Sequence, residues 1–515
     1  MILVLQRASP VPLHRQIYLA LRAAIMEAQM AVGVRLPSSR VLAADLRVSR
    51  TTVLGAYGQL AADGFIVARR GDGSRVSGAV PRSVPTPQGA GLTGRAGGDA
   101  AGSPAMLSAF GARMVAVYRP PRGRSELRAV NAPVSFGCPP LAVGIPDLEA
   151  FPLAIWSRLA NRQWRRNAVE LLSPGDGAGY LPLRQAIAEY ALINRAARCT
   201  AQQVIITAGA QQGISIAARL LLNPGDQVWI EQPGFTPARS AFLGVGAELV
   251  DVPVHAEGLD VAIGRTRAPH ARMAFVTPSF QAPLGVVMSI RHRLALLDWA
   301  AETRSWIIED DYNGEFRYDG QPLASMQGLE HPGARRVIFL GSFSKTMFPA
   351  LRLGYAIVPP ELAEPFALAR LTDDRHSPTI EQATLADFIA EGHFARHVRR
   401  MRVLYAERQR VFLDIARREL GDLLRVDPAP AGMRLLGWLP TGISARRVAD
   451  EAALRNVMVA TLSRHRVMAE NTDALLLGYV PFAAATARAA LCSLGEAIKT
   501  VARESRDIAT RRLGK

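Results

Sequence analysis

The stretch G-S-F-S-K at 341–345 puts a lysine inside an otherwise apolar run, V-I-F-L-G-S-F-S-K-T-M-F-P. Of the 61 lysines and arginines in the chain, three are lysines: Lys345, Lys499 and Lys515. Arginine serves wherever else a cation is needed, but it stays protonated and forms no imine. A desolvated lysine can lose its proton and attack an aldehyde. Lys345 is therefore a candidate for imine chemistry. The plainer alternative is a lysine snorkelling at the rim of a core. Other residues could complete a reactive site. I-I-E-D-D-Y at 307–312 ends a predicted strand with acids and a tyrosine. T-A-G-A-Q-Q-G at 207–213 is a small-residue turn opening a predicted helix, whose backbone amides suit an anion. Ser342 precedes Lys345 by three residues and Arg352 follows it by seven.

The elements that must position these residues form an alternating pattern. Apolar runs at 203–207, 227–231, 273–277, 305–311 and 337–341 read as strands, and Gln211–Leu222 and Ile290–Thr303 read as helices between them. This alternation predicts an α/β fold with a mostly parallel sheet covered by helices. A helix N-terminus with hydroxyls and an arginine holds a phosphate. A carboxylate keeps a pyridine nitrogen protonated, and a lysine supplies an imine. Together these describe pyridoxal 5′-phosphate (PLP).

The first part of the chain is different. L-H-R-Q-I-Y-L-A-L-R-A-A-I-M at 13–26 has helical apolar spacing. R-L-P-S-S-R-V-L-A-A-D-L at 35–46 carries a serine cap before a short helix. V-S-R-T-T-V-L-G-A-Y-G-Q-L at 48–60 starts another helix at Ser49, and D-G-F-I-V-A-R-R-G-D-G-S-R-V reads as two short strands around a glycine-rich turn. This order predicts a winged helix-turn-helix. Residues 1–82 hold eleven arginines against four acids, an excess that suits phosphate neutralisation by a DNA-binding module. The bland alternative is a helical module mediating dimer contacts. The DNA-facing set is Arg35, Ser38, Arg40, Ser49, Arg50, Thr51, Thr52, Tyr57, Arg69 and Gly73.

Bulk properties bound the rest. A chain of 515 residues with 49% hydrophobic content predicts several domains with real cores, and the net charge of +17 points to an anionic partner. Cys138, Cys199 and Cys492 are widely spaced and odd in number, which argues against a disulfide framework or a cysteine zinc site and for a reducing cytosol. No metal site and no membrane span are expected. Residues 79–104 are rich in Pro, Gly, Ala, Ser and Thr without apolar periodicity. The predicted domains are therefore a winged helix at 10–78, a linker at 79–130 and a PLP-binding domain at 131–505.

On these motifs the first zone resembles the GntR-type winged helix of bacterial regulators, with Arg47 where that family usually has glycine. Most of 131–500 resembles the fold-type I aminotransferases. That resemblance implies a smaller C-terminal α+β subdomain. It implies an imine on Lys345, Asp310 on the pyridinium nitrogen and Tyr312 on the phenolic oxygen. Ala210, Gln211, Ser342, Ser344 and Arg352 would hold the phosphate, Phe235 would stack on the ring and Gln281 would line the pocket. Asp310 capping a helix and Phe235 in a core are the structural alternatives.

The fusion of the two resembles the MocR-type regulators, through E-D-D-Y-N-G-E-F-R-Y-D-G, S-F-S-K-T-M-F-P-A-L-R-L-G-Y and A-D-F-I-A-E-G-H-F-A-R-H-V-R-R-M-R. The family implies a homodimer in which PLP and a small amine, amino acid or PLP itself tune binding to a double-stranded DNA operator. The alternative is an aminotransferase with an accessory DNA-binding domain. Three departures favour the regulator. Ala282 replaces an asparagine, Pro174 replaces a phosphate-reaching tyrosine, and Leu476 stands where aminotransferases place a carboxylate-clamping arginine.

Overall fold

The computed structural model describes residues 5–7, 9–27, 29–69, 73–78, 139–166, 168–318, 320, 323–465 and 473–513. The expected linker at 79–130 and Cys138 lie outside these residues. The chain divides into two units, 1–104 and 105–515.

In the first unit, α1 (Leu13–Met26), α2 (Ser39–Leu46) and α3 (Arg50–Ala62) precede a two-stranded wing, β1 (Ile66–Arg69) and β2 (Gly73–Val76). The caps follow from sequence: Ser38 Oγ accepts from the Val41 amide, and Ser49 Oγ from the Thr52 amide. One stripe of each helix is buried. Ile17, Leu21 and Ile25 of α1 meet Val53, Ala56, Tyr57 and Leu60 of α3 in one small core. Arg47 closes α2 in the left-handed region, φ 51° and ψ 49°. The turn thus keeps the conformation that a glycine would favour, although a side chain there costs on the order of 1 kcal/mol.

The second unit is built on an eight-stranded sheet in the order β3-β10-β9-β8-β7-β4-β5-β6. The strands are β3 (Val204–Thr207), β4 (Gln227–Gln232), β5 (Glu248–His255), β6 (Gly258–Leu259), β7 (Met273–Val276), β8 (Trp306–Asp311), β9 (Val337–Ser342) and β10 (Gly354–Ile357). The run β9-β8-β7-β4-β5 is parallel. β10 is antiparallel to both β3 and β9, and β6 to β5. Strands β3, β7 and β8 are buried along their whole length, as expected for a sheet covered on both faces. A four-stranded antiparallel sheet follows, with β11 (Arg425–Val426), β12 (Arg434–Trp438), β13 (Ala460–Thr461) and β14 (Ala474–Gly478) in the order β11-β12-β14-β13. Its core packs against helices His393–Leu420 and Ala484–Leu513.

Gly341 shows how tightly the lysine loop is held. A Cβ there would lie 2.2 Å from the buried ring of Tyr355 on the neighbouring strand β10. The ring has nowhere to turn in a close-packed interior. Gly341→Ala is expected to destabilise this unit by about 1–3 kcal/mol, read as a shifted denaturant midpoint at unchanged slope.

Candidate functional site

β8 sorts its three acids by the two-residue period of a strand. Glu309 and Asp311 point away from the pocket. Glu309 accepts from the amides of Met326 (2.9 Å) and Gln327 (3.2 Å), and Asp311 pairs with the buried Arg195 at 2.5 Å. Asp310 points the other way, and its Oδ1 is buried without a hydrogen-bond partner. Burial lifts the Asp310 carboxyl to about 7, helped by Asp311 and Glu231 and opposed by Lys345. Burial lowers the Lys345 amine to about 8; Arg434 adds repulsion and Asp310 opposes it. Lys345 Nζ donates to the Gly144 carbonyl. Lys345 and Asp310 thus feel each other's charge in one desolvated pocket, and a weakly basic amine is what imine formation needs.

The other expected residues lie as follows. Gly209, at φ 122°, precedes helix Ala210–Leu221, so the first amides of Ala210 and Gln211 face outward without intrahelical partners. A Cβ on Gly209 would sit 3.5 Å from the Arg352 guanidinium. The turn and the arginine therefore lie side by side, free amides next to a cation, a pairing suited to an anion. Ser342 Oγ accepts from the Ser344 amide, fixing the loop between β9 and Lys345. Phe235 is half-buried at the start of helix Thr236–Gly244, parallel to Phe275. The Tyr312 hydroxyl accepts from Arg434 Nη2 at 2.8 Å, and burial pushes its own ionisation up to about 12.

Two expectations need correction. Gln281 does not offer its amide to a ligand: Nε2 donates to Glu231, Pro233 and Ala282, and Oε1 accepts from the Leu284 amide. It braces the loop, and its backbone carbonyl accepts from Arg434. Tyr57 is not a DNA-facing residue. It lies on the buried stripe of α3, and its hydroxyl donates to the Pro37 carbonyl at 2.8 Å. The rest of the DNA-facing set divides into caps and surface. Ser38 and Ser49 cap their helices, and the Thr52 hydroxyl bonds that of Ser49. Arg35, Arg40, Arg50 and Thr51 are exposed, with Arg50 Nε 3.3 Å from Ser39 Oγ. Arg69 ends β1, and Gly73 opens β2 beside Arg35. Arg434 was missed by sequence reasoning. It is one arginine among many, and only the approach of β12 to β8 brings it to Tyr312.

The donors present fit PLP. The unpartnered Asp310 oxygen calls for an N–H donor, and the free helix amides after Gly209 beside Arg352 call for a phosphate-like anion. In the cofactor-free protein, Asp310 holds its proton more tightly than the unfolded chain does. The stability due to the neutral acid is therefore complete below the ordinary value of 3.8 and lost as the pH rises through about 7. Apo Asp310→Asn is expected to outlast the parent near pH 8 by up to about 4 kcal/mol. That gap should close between about pH 7 and pH 4 in denaturant titrations.

Comparison with known proteins agrees with this geometry. The aminotransferase class I and II family matches residues 140–440, and the bacterial regulatory gntR family matches residues 13–76. The probable rhizopine catabolism regulatory protein MocR of Rhizobium meliloti is 39% identical over 96% of this chain and 95% of its own. The pyridoxine biosynthesis transcriptional regulator PdxR of Corynebacterium glutamicum is 27% identical over 95% of this chain and 96% of its own. Among solved structures, the α-aminoadipate aminotransferase LysN of Thermus thermophilus, complexed with N-(5′-phosphopyridoxyl)-L-leucine, superposes with a TM-score of 0.65. It is 28% identical and covers 70% of this chain and 92% of its own. The aminotransferase fold and its relatives are PLP-dependent, and PLP is the cofactor of this domain. The chain belongs to the MocR-type transcriptional regulators, in which a GntR winged helix is joined to a PLP-dependent aminotransferase-like domain.

Proposed function

We propose that the aminotransferase-like domain is the sensing half of this regulator, with Lys345 as the covalent attachment point for PLP and a small amine, amino acid or PLP itself as the signal. The observation that carries the reading is the buried, unpartnered Asp310 in the pocket of an amine of depressed basicity, on one chain with a winged helix. When bound, PLP supplies an electrophilic aldehyde and an electron-withdrawing ring. Lys345 presents its amine. Asp310 would accept the ring N–H, and Tyr312, held by Arg434, would offer its O–H to the phenolic oxygen. The first amides of Ala210 and Gln211, the hydroxyls of Ser342 and Ser344, and Arg352 would hold the phosphate, and Phe235 would cover a ring face.

The winged helix reads a DNA operator through the start of α3 and its exposed arginines. A homodimer is supported by large apolar side chains left in solvent on three consecutive helices, among them Leu172, Val169 (82% exposed) and Ile193 (81% exposed). The cell compartment is the cytoplasm, where operator DNA and reduced cysteines coexist. Ala282, Pro174 and Leu476 favour this reading over an aminotransferase with an accessory DNA-binding domain.

The parent protein mixed with PLP is expected to show a visible absorption band that Lys345→Ala lacks, and PLP is expected to change operator retention in gel shifts. No band, or brisk steady-state transamination across a panel of amino and keto acids, would sink the sensor reading. On the DNA side, Arg50→Ala should weaken binding to all duplexes and lower the salt slope by about 1, measured by anisotropy across a salt series.

A further inference from the structure

The hydrogen bonds of Arg434 limit what the sensing pocket can hold. Nη2 donates to both the Gln281 carbonyl (3.1 Å) and the Tyr312 hydroxyl (2.8 Å), and Nε donates to the Pro283 carbonyl (3.2 Å). The guanidinium also lies over the rings of Phe280 and Tyr312, 5.1 Å and 5.7 Å from their centroids. A guanidinium grips a carboxylate bidentately through Nη1 with Nη2, or through Nε with Nη2. Both forks need Nη2, whose two hydrogens are already engaged. Nη1 remains, without a hydrogen bond among the described residues. It can give single bonds to a neutral oxygen but cannot close a fork.

The rest of this face of the small sheet is apolar. Leu436 and Leu476 are direct cross-strand partners and pack with Val143, Leu284 and Trp438. Val143, at the edge of this wall, immediately precedes Gly144, whose carbonyl receives Lys345 Nζ. Arg352 stands beside Gly209. A carboxylate on this wall lies against leucines and finds beside it only the single free nitrogen of Arg434, too little to offset its burial.

We propose that the site beside Lys345 is specific for primary amines that lack an α-carboxylate, with an apolar body on the Leu436–Leu476 wall and a hydroxyl or amide oxygen on Arg434 Nη1. The proposal rests on the reading that Lys345 carries PLP.

The test titrates the full-length, PLP-loaded protein with leucinol, leucine and 3-methylbutylamine, following the visible band. Leucinol should half-saturate the shift at a concentration at least about tenfold below leucine. Leu476→Arg, which adds to the wall a cation whose fork is free, should lower the leucine value by about tenfold or more. Leucine acting on the parent as readily as leucinol overturns the proposal. If neither leucinol nor 3-methylbutylamine acts on the parent, the proposal is overturned whatever Leu476→Arg does. If melting curves show that this variant does not fold, Arg434→Lys decides. The preference for leucinol over 3-methylbutylamine must then shrink, and an unchanged preference overturns the proposal. A parent protein that forms no band with PLP fails the underlying reading as well; a band that leucine shifts best fails the specificity alone.

Discussion

The second unit is organised around an unfavourable burial. Asp310 lies under the sheet surface with an oxygen that bonds nothing, and its neighbours Asp311 and Glu231 make its charge costlier still. The strand that carries it cannot relax this. β8 is flanked on both sides by parallel strands, and its alternate acids are tied down on the far face by Arg195 and by the amides of Met326 and Gln327. Those ties fix the register, and the register turns Asp310 to the opposite face, where it feels the charge of Lys345. A pocket so arranged is held in readiness for a cation to complete it, and the fold bears the cost until a ligand offsets it.

Lys345 is shaped by the same desolvation with the opposite sign. Burial that makes an acid harder to ionise makes an amine easier to deprotonate. One physical cause therefore prepares both partners, and the Arg434 charge adds to the effect on the lysine. Arg434 also links the two subdomains. It starts on the small sheet and ends on the loop and tyrosine of the large one, bonding two carbonyls and a phenol. A shift of the small sheet would therefore be felt directly at Tyr312.

Much of this was legible in the chain. The strands at β4, β7, β8 and β9 read from their apolar runs to within a residue or two at each end, because strands buried on both faces carry continuous apolar sequence. The cap Ser49 and a serine cap before α2 read directly, since serine before a periodic apolar stretch favours capping; the structure shows that the second is Ser38. Lys345, the acidic run at 309–311 and the 207–213 turn stood out because each is chemically unusual where it sits. Tyr57 and Gln281 were legible as members of motifs but not in their orientation. A helix position says which residues share a stripe, yet which stripe faces inward is settled by the neighbouring helix.

The sequence by itself determined the elements, their order, and the residue types able to hold a phosphate, a pyridinium and an imine, because these depend on local periodicity and on intrinsic side-chain chemistry. The tertiary structure decided the rest: which of three consecutive acids meets the lysine, that Gln281 braces rather than binds, and that an arginine nearly ninety residues downstream of Lys345 sits at its pocket with its fork already engaged. Those outcomes depend on register, burial and the meeting of distant strands, and no local window of sequence contains them.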